Sequence, residues 1–179
     1  MSRFSRFVWY IALRLLIVLL ALGLCTFVFY YAMNASNISI VLKDGMALRA
    51  RVIMMDAEPD DLTKFFQGSW IQRDEALQQA LRGESPYRLY TVRGIDHRLK
   101  VESMWCRPWD KTVKVTFTES IPRVDGRLNG NYLEWARSLY GEDYKSVPRW
   151  PAGRYSAQLV KENGQWHVRN ITLKEALDP

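Results

Sequence analysis

From Leu15 to Met33 the chain runs 19 residues without a charge. At about 1.5 Å of rise per residue, a helix of that length covers roughly 28 Å, close to a hydrocarbon core of about 30 Å. The apolar character reaches back to Phe7 and is broken only by Arg14, whose long stem can carry its charge to the near headgroups. Trp9 and Tyr10 stand at one end and Tyr30 and Tyr31 at the other, the placement of aromatic belts at two membrane interfaces. The pattern predicts a single transmembrane helix over residues 7–33. It is too long for a cleaved signal, and Ala32-Met33-Asn34 is a poor cleavage site. Leu22-Gly23-Leu24-Cys25 resembles a lipoprotein signal, but Leu24 stands where a small residue is needed and apolar residues continue past Cys25.

Beyond the span the period is first helical. Val41, Gly45, Leu48, Val52 and Met55 recur at four- and three-residue steps and predict a helix over 38–55, with Gly45 counting against it. Pro59 and Asp60 start a second short helix with Leu62, Phe65 and Phe66 on its apolar side. A third runs from about Arg73 to Leu81 and stops at Gly83. After Pro86 the period becomes two. Strands are expected over Tyr87–Ile95, Leu99–Arg107, Lys111–Ser120, Arg154–Glu162 and Gln165–Leu173. In the third of these, Val113, Val115 and Phe117 alternate with Lys114, Thr116 and Thr118, so one face is buried and the other wet. Arg107-Pro-Trp-Asp-Lys111 reads as a hairpin connection closed by Asp110, and Asn163-Gly164 is the strongest hairpin signal in the chain. Residues 123–152 are irregular, with a short helical candidate at Tyr132–Leu139.

Helices first and antiparallel strands afterwards predict an α+β domain, with helices packed on one face of a curved sheet. With 179 residues, 48% hydrophobic and 25% charged, the chain suits one such domain plus an anchor.

Charge adds a direction. The net charge is +6. Arg3, Arg6 and Arg14 precede the span with no acid among them, which predicts residues 1–6 in the cytoplasm and residues 34–179 outside it. Beyond residue 33, 22 basic residues face 19 acids without a Lys or Arg cluster. A nucleic-acid partner is not expected from that distribution. Cys25 lies in the span and Cys106 in the domain, so no intramolecular disulfide is expected, and Cys106 beside Trp105 reads as a small buried hydrophobe.

Candidate chemistry is sparse. His97 and His167 are the two histidines, and there is no paired-ligand spacing, P-loop, G-x-G-x-x-G or G-x-S-x-G. No metal, cofactor or catalytic residue is expected. Asp96 with His97, or His167 with Glu162, is the nearest approach to an acid–base pair. His167 follows the core-like Trp166 and is expected to face solvent. The aromatics Trp135, Tyr140, Tyr144 and Trp150, with Arg137 and Arg149 close in sequence, form the candidate partner surface. Trp, Tyr and Arg dominate interface hot spots. The competing reading is that these rings cover the open end of the sheet.

The element order over residues 38–173, closed by Ser156-Ala-Gln-Leu-Val-Lys-Glu-Asn-Gly-Gln-Trp-His-Val, resembles the nuclear transport factor 2-like (cystatin-like cone) superfamily. The aromatic insertion at 123–152 departs from its minimal pattern. On a single-pass anchor, this layout is similar to that of inner-membrane scaffold proteins of conjugation and type IV secretion machines. The resemblance implies a cone-like domain without enzymatic activity, held in the cell membrane of a bacterial envelope. Its partners would be the bilayer and another protein or a second copy of the chain. It also implies the alternative use of a cone cavity, by a tethered small-ligand-binding or isomerase-like enzyme.

Overall fold

A computed structural model of the chain describes residues 3–55, 57–141 and 146–177. Helix α1 spans Arg3–Met55, 53 residues without a break and about 80 Å long. The predicted span and the predicted helix at 38–55 are one rod. From residue 7 to 26 every side chain is exposed, and from Ile38 onward one face is buried. That face carries Ile38, Leu42, Met46, Ala50 and Ile53, a stripe turned slightly from the expected one. Val41 and Leu48 flank it, half-buried, while Gly45 and Val52 are enclosed. Within the apolar stretch the Thr26 hydroxyl donates to the Leu22 carbonyl at 2.8 Å, so its polarity is satisfied inside the helix.

A 3₁₀ turn, Asp60–Lys64, leads to α2 (Gly68–Ile71) and α3 (Glu75–Leu81). Asp74 caps α3 by accepting from the Leu77 amide, and Gly83 leaves it at a φ of +73°. Pro86–Leu89 is a 3₁₀ turn rather than the start of a strand. The strands are β1 (Tyr90–Ile95), β2 (Arg98–Met104), β3 (Thr112–Ser120), β4 (Val124–Leu128), β5 (Ala152–Glu162) and β6 (Gln165–Leu177). They form two antiparallel sheets, a pair β1-β4 and a four-stranded sheet in the order β2-β3-β5-β6. Strand β4 lies in the stretch expected to be irregular. Helix α4 occupies Leu133–Tyr140, as its sequence predicts. The β5–β6 turn puts Asn163 and Gly164 at φ of 50° and 84°, the left-handed pair that an Asn-Gly hairpin uses.

One apolar cluster joins residues of α1, the 60–77 segment and the four-stranded sheet. Leu42, Met46, Phe66, Trp70, Leu77, Val115, Phe117, Leu159, Trp166 and Val168 belong to it. Cys106 is fully enclosed in the same cluster, and burial pushes its thiol pKa up, so the neutral form is favoured. The β6 edge is covered at one point, where the Gln67 amide donates to the Val168 carbonyl and the Val168 amide to the Phe65 carbonyl. The chain is α+β, with a long apolar N-terminal helix and two antiparallel sheets.

Candidate functional site

Two features stand out: the first takes in His97 and Trp150, the second the remaining expected aromatics. The first is a buried polar cluster. Helix α1 delivers Arg49 from its last turns, one turn before the buried Ile53. The guanidinium grips the α3 cap residue, with Nη2 donating to Asp74 Oδ1 at 3.0 Å and Nε donating to Oδ2. Its Cζ also lies 5.9 Å from the Trp70 ring centroid and 5.5 Å from that of Trp150. Burial opposes the Arg49 charge, but the hydrogen bond to Asp74 and the charges of Asp74 and Glu119 outweigh it and raise the pKa. Among the described residues Glu119 is the most deeply buried acid, 1% exposed. It continues the inward face of β3 after Val113, Val115 and Phe117. Its Oε1 lies 2.9 Å from His97 Nε2, and the His97 side chain is itself only 7% exposed. Tyr155 on β5 stacks on Phe117 with ring centroids 5.6 Å apart. Its phenol is pushed up by burial and by the Glu119 charge, against a lowering by Arg49, so it stays protonated and able to donate.

A groove of about 500 Å³ opens on this cluster, lined by Met46, Arg49, Trp70, Asp74, Glu119 and Tyr155 among others. A second space of about 640 Å³, on which Ile121, Arg149, Trp150 and Leu177 face, also touches Glu119. His97 lines neither. Asp74 is thus paired with Arg49, and Glu119 has a hydrogen-bond partner in His97, as buried polar groups require. The His97–Glu119 pair has the composition of an acid–base couple, but the imidazole is largely covered and lines neither of these two spaces.

The second feature is the aromatic group. Trp135 projects from α4 and is 57% exposed, with its ring 6.5 Å from that of Tyr132. Arg137 and Arg149 are exposed. Trp150 is not part of that face. It is buried among Tyr87 and Arg49 and belongs to the main core, because the chain after residue 147 returns inward to start β5. Tyr144 and the side chain of Tyr140 lie outside the described residues. The group therefore divides between surface and core. Trp166 is enclosed, as its strand position predicts. His167 departs from its expected solvent-facing position: it is half-buried, and its Nδ1 is enclosed without a hydrogen-bond partner. Asp110 closes its turn as read, accepting from the Arg107 amide at 2.8 Å.

Glu119 and Arg49 are not among the residues expected from sequence. Glu119 has a legible signal, since the two-residue period that buries Phe117 buries residue 119 as well. Arg49 had no local signal, because its partner is 25 residues away. Among the described residues no group of three or more His, Cys, Asp or Glu could hold a metal ion. No protein-family model and no curated protein matches the chain.

Proposed function

We propose that this chain is a non-enzymatic, membrane-anchored scaffold of a bacterial cell-envelope assembly, which binds a partner protein through α4. The reading takes residues 7–33 as the anchor and residues 34–179 as an extracytoplasmic, nuclear transport factor 2-like domain. That domain type is taken from the element order over residues 38–173 and the closing hairpin; the core that α1 shares with β3, β5 and β6 is compatible with it.

One observation carries the binding function. Helix α4 turns its large apolar side chains outward. Leu133, Trp135 and Leu139 are 46%, 57% and 56% exposed, while Ala136 is enclosed against Leu89, Tyr90 and Val92. A helix whose only purpose is to cover a domain puts its large residues inward and its small or polar ones outward. Beside Trp135 and Tyr132 lies a groove of about 500 Å³, walled on its other side by residues 83–85, Arg88 and Leu89. A ledge of exposed aromatic and leucine side chains beside a groove is what a protein partner covers.

The test combines stability with association. A photo-crosslinking residue at Trp135 in the full chain should capture a discrete partner, or a second copy, from native membranes. Trp135→Ala should leave the melting temperature nearly unchanged and weaken that association by about 2 kcal/mol or more. Trp166→Ala should instead cost about 3–5 kcal/mol of stability, because it opens a cavity in the core. Equal unfolding by both substitutions, or no capture at Trp135, overturns the proposed surface.

A second reading rests on the groove at Arg49. Arg49, Arg73 and Tyr155 stand there beside Asp74, Glu75 and Glu119, so it suits a small polar ligand that both donates and accepts hydrogen bonds, bound by a tethered small-ligand-binding or isomerase-like enzyme. Saturable protection of the groove against hydrogen exchange by a small neutral hydroxy compound would favour that reading over the scaffold.

A further inference from the structure

The loop between β2 and β3 does not stay with the domain. It reaches back along α1. The Trp105 ring lies 5.6 Å from that of Tyr31, and the Trp109 ring lies 6.0 Å from that of Phe27. Phe27 and Tyr31 belong to the uncharged stretch, and they are its only half-covered residues between 15 and 33. Phe27 precedes the end of that stretch, Met33, by about 9 Å along the helix axis. Since the stretch barely matches the thickness of a hydrocarbon core, the loop tip lies level with the outer part of the bilayer.

Its side chains suit that level. Trp105 and Trp109 are 65% and 66% exposed, turned away from the domain, and Arg107 and Lys111 beside them are exposed cations. Indole rings with flanking cations favour the boundary between headgroups and acyl chains. The tip is also held in place. Cys106 is buried between the two tryptophans. The Asp110 carboxylate accepts from the Arg107 amide, and the Lys161 amide donates to the Lys111 carbonyl at 2.8 Å. The buried Asn34 of α1 donates to the Pro108 carbonyl at 3.4 Å and accepts from Lys161 Nζ at 3.3 Å. The rings are thus presented on a fixed support.

We propose that the β2–β3 loop is a second membrane contact, in which Trp105 and Trp109 seat in the headgroup layer of the leaflet from which α1 emerges. The proposal rests on the reading of α1 as a membrane span. The contact fixes the height and tilt of the domain over the bilayer, so that α1 and the loop together make a two-point mount. No helical hinge and no flexible linker separates span from domain.

Tryptophan quenching by brominated phosphatidylcholine tests this in proteoliposomes of the full chain, because it reports only rings in contact with lipid. The W9F variant retains Trp105 and Trp109 and should still be quenched. The W105F/W109F variant retains Trp9 and should be quenched by that ring alone. The triple variant should lose the quenching. If W9F is unquenched while W105F/W109F is quenched, the span stands and the loop contact is overturned, as it would be if a second copy or another protein covered the rings. If neither is quenched, the span reading fails and the loop proposal fails with it. Quenching that survives in the triple variant would belong to another ring and would also overturn the proposal.

Discussion

Arg49 is a charge enclosed by one carboxylate and two indole rings. Its side chain is 15% exposed and that of Asp74 6%, so removing one partner strands the other away from water. Arg49→Met should therefore cost about 3–5 kcal/mol, the usual penalty for an uncompensated buried charge. Asp74 has a second task as the α3 cap, worth about 1 kcal/mol. Asn retains the capping oxygen without the charge. Arg49→Met combined with Asp74→Asn should thus recover most of the loss, read as the urea midpoint of the two variants. A double variant as unstable as Arg49→Met alone would show that the stabilisation lies in packing against Trp70 and Trp150 instead of in the ion pair. At this scale the sequence was only partly legible. Trp166 and Cys106 declare themselves by their neighbours and by strand period, and both are core. Trp150 does not, because Arg149 and Pro151 give no period on either side. Glu119 has the right period but the wrong polarity for a core position. What makes it tolerable is His97, 22 residues earlier, and pairing at that distance is decided by how β2 and β3 meet.

Gly45 shows how one position sets the relation between elements. In a helix interior glycine is about 1 kcal/mol less favourable than alanine, and so it counted against the helix at 38–55. A Cβ there would lie 2.9 Å from Phe65 Cβ and 3.2 Å from Phe66 Cζ. The missing side chain lets the end of the 60–66 segment press against α1, where Phe66 stacks on Trp70 with ring centroids 4.4 Å apart. Overpacking a core by one carbon costs about 1–3 kcal/mol, which meets or exceeds the gain in helix propensity. Gly45→Ala should lower the melting temperature. Gly68→Ala, at the start of α2 with nothing within 4 Å of the added carbon, should leave it unchanged or raise it. A stabilised Gly45→Ala protein would mean that the 60–66 segment moves aside easily. Element boundaries follow the same logic of local against distant causes. The β5–β6 turn is local and was legible to the residue. Strand β4, Val-Asp-Gly-Arg-Leu, has poor strand composition and owes its form to pairing with β1. Gly126 within it faces Val147, whose Cγ2 would lie 2.8 Å from an added Cβ, so close packing selects the glycine that makes the strand hard to read. Strand β6 outruns its expected end because β5 offers partners as far as Ala152, opposite Leu177.

At the scale of the molecule, α1 joins a long apolar stretch, compatible with a membrane anchor, to the core of the domain. The enclosed residues of the domain begin at Asn34 and Ile38. Upstream of them, the ring contacts to the domain are those of Phe27 and Tyr31 with Trp109 and Trp105. A fragment of residues 34–179 therefore keeps every residue of the main apolar cluster. It should fold and unfold cooperatively in aqueous buffer, with its two loop tryptophans more exposed than in the full chain. Aggregation without a cooperative transition would mean that the core depends on the bilayer. The proposed direction of insertion rests on charge. Arg3 and Arg6 precede residues 7–33 and Arg14 lies near their start, with no acid among them. On the far side residues 34–42 carry no charge, and the basic residues Lys43, Arg49 and Arg51 begin only ten residues beyond Met33. Basic residues near a span are retained in the cytoplasm, and the bias here favours retaining the N-terminus. A C-terminal alkaline phosphatase fusion, active only outside the cytoplasm, should be active, and a C-terminal green fluorescent protein fusion exported by the same route should be dark. The opposite pair of results would put the α4 ledge and the loop tryptophans on the cytoplasmic side, where the same surfaces would meet a different leaflet and different partners.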